Sequence, residues 1–267
     1  MSAAKEMVDC GEFKLAAYVS GRNDGPWIVL SNSVGATAAM WEPQLPLLEK
    51  HYRVLRYDAR GHGESDAPEG PYTFPDLIGD IIALMDHFGI EKADYMGLSL
   101  GGMTGLGLVL AHPDRIDRFV CADARADASP PFLAMWDSRM AAIRSGGMEA
   151  ILAPTLERWF RADFAERDPH GYAEAKEMVL ATDADGYIAC AEALKTLDYI
   201  DDLKAIKVPT LYVVGADDAG ATPATMRDMA DRTPGSAYAE IPAAAHISNM
   251  EQPAAFDRAI SGFLRLS

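Results

Sequence analysis

At 267 residues the chain can bury a sizeable core, enough for one α/β domain carrying an insertion or for two small domains, and the former suits the patterning better. Its formal charge of −16 and the lack of any Lys/Arg cluster exclude nucleic acid and anionic membrane surfaces as expected partners, since either needs a basic face. Cys10, Cys121 and Cys190 are odd in number and widely spaced, Met1 to Cys10 has no apolar leader core, and no run of about 18 apolar residues occurs, so the expectation is a cytoplasmic protein with buried reduced thiols, no disulfide, no metal and no membrane span.

In chain order, Phe13 to Val19 alternates as an edge strand does, and Gly21 to Pro26 turns into Trp27-Ile28-Val29-Leu30, a continuous apolar run typical of a buried strand. Trp41 to Lys50 reads as helix and Tyr52 to Tyr57 as strand. Phe74 to Phe88 carries Leu77, Ile78, Ile81, Ile82, Leu84, Met85 and Phe88 at helical period, with Gly89 to end it. Ala93 to Leu98 is a short strand, Leu100 to Ala111 a helix stopped before Pro113, and Arg118 to Ala122 another strand. From Arg125 to Tyr199 the strand signals cease, and Leu133, Trp136, Met140 and Ile143 share one helical face. Alternation resumes with strand Thr210 to Val214, a helix near Ala224 to Arg232, strand Ala237 to Ile241 and a closing helix from Pro253 to Leu266. Repeated strand–helix alternation predicts right-handed crossovers and a mostly parallel, doubly wound sheet with helices on both faces. The expected organisation is an α/β core over residues 1–124 and 200–267, with a helical cap, 125–199, inserted in it.

Gly97-Leu98-Ser99-Leu100-Gly101 falls at one of these strand-to-helix junctions. A serine hydroxyl is a weak nucleophile and is usually presented on a strained elbow, where glycines on either side leave room for the backbone. Ser99 then needs a base, and the base a carboxylate to hold its tautomer. Of the 6 histidines, His246 lies just past the last strand, at the carboxyl edge where open α/β sheets build their sites. His62, in Gly61-His62-Gly63, competes but stands upstream of the serine, against the expected order, and reads as structural. His51, His87, His112 and His170 read as solvated or capping, and no spacing among the histidines suggests a metal site. Asp218, in the loop after strand Leu211 to Val214, is the expected acid; Asp217 beside it and Asp123, at the end of an earlier strand, are alternatives. An oxyanion hole needs two N–H donors: Leu100, at the positive end of its helix, and Val34, in the loop after Leu30. Asn32 and Ser33 read as loop-fixing residues.

Together these residues resemble the α/β-hydrolase superfamily over nearly the whole chain, and more narrowly the 3-oxoadipate enol-lactonases. The narrower likeness rests on Leu30 to Gly35 with Met40 to Gln44, Tyr57 to Ser65, Gly97 to Gly102, Arg158-Trp159-Phe160, and His246 to Pro253. It implies opening of a small enol-lactone ring through an acyl-enzyme on Ser99, with water activated by His246 and no metal or organic cofactor. Related esterases, perhydrolases and other lactonases share most of these phrases, so a carboxylesterase or perhydrolase is the alternative, with a C–C bond hydrolase and a ligand-binding receptor on the same scaffold behind it. One departure stands out: Ala36-Thr37-Ala38-Ala39 replaces a more polar, histidine-containing segment of that family, close to the expected oxyanion loop. A carboxylate-bearing lactone also needs a local cation, for which Arg139, Arg144, Arg158 and Arg161 are the candidates, Arg139 and Arg158 foremost. Trp136 and Trp159 are candidates to line the pocket, although aromatic residues at helical spacing also serve simply to pack a helix.

Overall fold

The computed structural model describes residues 4–266; residues 1–3 and 267 of the expected core ranges lie outside them. The chain begins with β1 (Ala4–Asp9), β2 (Lys14–Gly21) and β3 (Trp27–Ser31), followed by a 3-10 turn, Ala38–Gln44, and α1 (Leu45–Leu48). Next come β4 (Arg53–Tyr57), α2 (Phe74–His87), β5 (Ala93–Leu98), α3 (Leu100–Ala111) and β6 (Ile116–Ala122). Five helices follow: α4 (Pro130–Gly146), α5 (Glu149–Trp159), α6 (Phe164–Arg167), α7 (Pro169–Ala181) and α8 (Ala184–Lys195). The chain ends with β7 (Thr210–Gly215), α9 (Pro223–Arg232), β8 (Ala237–Ile241), α10 (Ser248–Glu251) and α11 (Pro253–Leu264).

All eight strands form one sheet in the order β1-β2-β4-β3-β5-β6-β7-β8. From β4 onward across the sheet the pairings are parallel, while β1 with β2 and β2 with β4 are antiparallel. β1 is absent from the sequence expectation, which put the edge at Phe13 to Val19. The reason is local: of Ala4–Asp9 only Val8 is buried, so the segment carries no apolar alternation to detect. The expected helix Trp41 to Lys50 is likewise replaced by the 3-10 turn and a short α1, with Pro43 and Pro46 interrupting the backbone donors a longer helix needs. Cys10 is only half-buried, unlike Cys121 and Cys190, and all are free thiols.

Neighbouring strands β3 and β5 connect in opposite directions across the sheet, β3 to β4 and β5 to β6, which makes their carboxyl ends a topological switch point. β5 is buried at every position, and α3 behind it is buried on nearly all sides, so the junction between them is held rigidly from both faces. Between β6 and β7 the described residues form helices and one isolated bridge, Asp127 to Asp198, that closes the base of the excursion. These helices pack chiefly on one another, α4 on α5 and α8, and α7 on α5 and α6. Among the described residues no helix is long and apolar enough to cross a membrane.

Candidate active site

Ser99 caps α3 with φ 56° and ψ −113°, a conformation L-residues rarely adopt. Its N–H donates to Ala122 O at 2.9 Å, fixing the elbow to β6. The flanking glycines are sterically required: a Cβ on Gly97 would stand 2.2 Å from Gly101 O, and one on Gly101 would stand 2.3 Å from Ser31 O. The elbow is therefore a three-way contact between β5, α3 and the end of β3.

Ser99, His246 and Asp218 come together from three separate loops. Ser99 Oγ–H donates to His246 Nε2 at 2.9 Å, and His246 Nδ1–H donates to Asp218 Oδ2 at 2.8 Å. All are buried. The other carboxylate oxygen, Asp218 Oδ1, accepts the N–H groups of Gly220 at 2.7 Å and Ala221 at 3.0 Å. Burial pushes the Asp218 carboxyl up, but the His246 ring and those N–H groups outweigh it and hold it below the ordinary carboxylate range. Burial, opposed by Asp218 and reinforced by the nearby cations Arg158 and Arg139, holds His246 below the ordinary imidazole value. The ring is thus neutral at physiological pH, with Nε2 free to take a proton.

The alternative acids go elsewhere. Asp217 points outward and pairs with Arg161 at 2.6 Å. Asp123 is fully buried at φ 45°, where its Oδ1 accepts Gly215 N–H at 2.7 Å and its Oδ2 accepts Ser248 Oγ–H. It braces the β6 and β7 ends rather than touching His246. His62 is structural in a specific way: its Nδ1–H donates to Arg60 O at 3.0 Å and its Nε2 accepts Gly35 N–H at 2.9 Å. This anchors the loop that carries Val34. Asn32 also ties that loop down, its side-chain amide donating to Tyr57 O at 2.7 Å while its backbone carbonyl accepts Gly101 N–H at 3.0 Å. Among the described residues, the N–H groups of Val34 and Leu100 have no protein acceptor, although their neighbours Gly35 and Gly101 do.

Ser33, Val34, Ser99 and His246 form the floor of a cavity of ≈ 10 Å³, walled by Trp136, Arg139, Arg158, Trp159 and Tyr187. That is room for about one water molecule. A ring-sized ligand does not fit beside Ser99 with the lining side chains where they stand. Of the six residues of this segment singled out in the sequence as pocket or cation candidates, Trp136, Trp159, Arg139 and Arg158 are in this wall; Tyr187 of α8 carries no sequence signal and was missed. Arg144 and Arg161 are elsewhere, the first beside a surface cleft with Asp185 and Glu192, the second in ion pairs with Asp217 and Asp163. None of Ala36 to Ala39 lines the cavity. Those residues instead start the 3-10 turn, where Ala38 N–H donates to Asp58 Oδ1 at 2.7 Å, so the departure noted in that segment falls on the scaffold of the loop.

The wall is rich in donors. Arg139 donates to the hydroxyls of Tyr187, at 3.3 Å, and Thr155. Arg158 reaches only Met135 Sδ at 3.9 Å, and its buried Nε has no protein acceptor, nor has Trp136 Nε1. Among the described residues neither arginine has a carboxylate within ion-pair distance. Burial, countered in part by Asp218, lowers the proton affinity of Arg158, as befits a cation held without a partner.

A family model described as the α/β-hydrolase fold matches residues 26–168. 3-Oxoadipate enol-lactonase 2 of Acinetobacter baylyi is 34% identical over 98% of this chain and 97% of its own length. A protein of Caulobacter sp. strain K31, provisionally named a carbamate hydrolase, RutD, is 30% identical over 91% of each chain. The crystal structure of the enol-lactonase from Burkholderia xenovorans superposes with a TM-score of 0.93 at 41% identity, covering 98% of this chain and 100% of that one. With a family match over more than half the chain and full-length likeness to these relatives, the chain belongs to the α/β-hydrolase fold family and is similar, within it, to the 3-oxoadipate enol-lactonases.

Proposed function

We propose that this hydrolase of ester or lactone bonds opens a small, carboxylate-bearing lactone of the 3-oxoadipate enol-lactone kind, with Ser99 as nucleophile, His246 as general base and acid, and Asp218 as its orienting carboxylate. The observation that carries the reading is the unbroken hydrogen-bond chain from Ser99 Oγ through His246 to Asp218 on a strained elbow. In acylation the Ser99 oxygen adds to the lactone carbonyl carbon as its proton passes to His246 Nε2. The N–H groups of Val34 and Leu100 receive the oxyanion, a contribution for which losing one donor typically costs about 3 kcal/mol. The ring C–O bond then breaks, His246 gives its proton to the departing oxygen, and the chain remains as an ester on Ser99. Water adds to that ester with its proton going to His246, the acid is released, and Ser99 regains its hydrogen.

The charge of the substrate follows from the wall. A half-buried guanidinium without a carboxylate partner is better satisfied when a ligand supplies the anion, and charge-assisted bonds to a carboxylate are stronger than neutral ones. Arg139 and Arg158 therefore suit a substrate carboxylate, and residues 125–199 act as a cap that must move for it to enter. The test compares purified protein with its Ser99→Ala variant on an enol-lactone carrying a carboxylate and on neutral aryl esters. Loss of turnover in the variant, with kcat/KM highest on the anionic lactone, is the expected result. A variant with wild-type rates removes Ser99 chemistry, and dominant activity on simple esters replaces lactonase with carboxylesterase.

A further inference from the structure

Glu251 lies in α10, five residues beyond His246, and its side chain is fully enclosed. Its two oxygens serve different parts of the molecule. Oε2 accepts the N–H of Ala245, the residue before His246, at 2.7 Å. Oε1 accepts the N–H of Arg161 at 2.9 Å, two residues beyond Trp159, and also receives an Arg167 Nη2–H at 3.4 Å. A second link runs beside the first: Ile247, the residue after His246, donates its N–H to Trp159 O at 3.0 Å. Both chain neighbours of His246 are thus tied to the stretch 159–161, one directly and one through Glu251. Trp159 is itself a wall of the Ser99 cavity.

A carboxylate suits this place because both of its oxygens face backbone donors. A glutamine there keeps one acceptor and turns an NH2 group toward an N–H, breaking one of the two links. The cavity beside Ser99 is too small for a ring-sized ligand as it stands, so on the reading above its lining, Trp159 included, gives way when substrate enters. Whatever moves residues 159–161 also pulls on the two peptides that flank His246.

We propose that Glu251 is a positioning residue that registers His246 against Ser99 by reference to the Trp159 wall, so that seating of the helical segment over substrate and alignment of the base are one event. The inference rests on the assignment of Ser99 and His246 made above. It predicts that loosening either arm of the Glu251 link reduces turnover without weakening substrate binding, because a displacement of about 1 Å at a reacting group can cost ~10²-fold in rate.

The decisive variants are Glu251→Gln and the pair Arg161→Pro and Arg161→Ala, with Arg167→Ala as a control for charge. Phe160 is extended, at φ −134° and ψ 155°, as a residue before proline prefers. Arg161→Pro therefore removes the N–H together with the side chain, and Arg161→Ala removes the side chain but keeps that N–H, so the difference between the two reports the N–H alone. In Glu251→Gln and Arg161→Pro, kcat should fall roughly 10- to 100-fold with KM within about 2-fold, and Ser99 labelling by a fluorophosphonate should slow in proportion. Arg161→Ala and Arg167→Ala should stay within about 3-fold of the parent. Wild-type kcat and labelling in the folded Glu251→Gln and Arg161→Pro proteins overturn the inference, as does an equal loss in Arg161→Pro and Arg161→Ala. Should one of the two decisive variants fail to fold, the other decides. Ser99→Ala assayed alongside separates the levels: a dead Ser99→Ala with a fully active Glu251→Gln rejects the positioning role alone, and an active Ser99→Ala rejects the reading beneath it.

Discussion

Replacing Arg158 by methionine should make the protein more stable and a poorer catalyst on anionic substrate. Arg158 is half-buried beside Gly220 and Met135, its buried Nε has no acceptor, and among the described residues no carboxylate lies within ion-pair distance. A buried donor left unpaired costs about 1–3 kcal/mol, and methionine fills much the same stem volume without that cost. For a domain of this size each kcal/mol moves Tm by roughly 2–4 °C, so Arg158→Met should melt about 2–12 °C higher. The same substitution removes a charge-assisted bond to a substrate carboxylate, worth about 1.5–3 kcal/mol, or roughly 10- to 150-fold in kcat/KM. Scanning calorimetry and paired kinetics on a carboxylate-bearing lactone and its neutral methyl ester measure both halves. A lower Tm, or equal losses on the charged and neutral substrates, would refute the idea that Arg158 is a partnerless cation kept for an anion.

The remaining predictions concern the hydrogen-bond chain. His246 must be neutral to accept the Ser99 proton, and burial, together with Arg158 and Arg139, lowers its proton affinity against the opposing pull of Asp218. The acid limb of kcat/KM should therefore fall below the ordinary imidazole value of about 6.5, and Arg158→Met should move it upward, because a repelling cation is gone. A limb that stays in place or moves down in that variant contradicts the argument. Asp218→Asn should lower kcat by about 10⁴-fold, by disfavouring the tautomer in which Nδ1 carries the proton. Asp123→Asn, which leaves the His246 bond intact, should stay within tenfold; steady-state assays of the two exchange their roles if the acid has been misassigned.

Much of the site was legible in linear order because each of its parts is a local feature. Ser99 sits between glycines, Asp218 follows a buried strand, and His246 falls in the loop after the last one, so strand–loop–helix grammar alone lines them up. The strand Ala93–Leu98 and the helix Leu100–Ala111 were equally plain, since mostly apolar stretches and a proline after the helix mark them. β1 was not, because an edge strand with one buried residue owes its existence to pairing with β2 rather than to its own pattern. Sequence order favoured Asp218 over Asp217 and Asp123, but what separates the three is side-chain direction, which spacing does not carry.

What the chain determined by itself, then, was the type of fold, the elbow and the order of chemical groups along it. The tertiary structure alone decided which carboxylate meets His246, that His62 holds the Val34 loop, and that Arg139 and Arg158 face Ser99 while Arg144 and Arg161 do not. It also brought Tyr187 into the cavity wall and joined Glu251 to both the His246 loop and residues 159–161. The physical reason is the range of the interactions. Propensity and periodicity act over a few residues, whereas a cavity wall and a buried carboxylate's partners are drawn from segments far apart in the chain, which meet only when the helices between β6 and β7 fold back over the sheet.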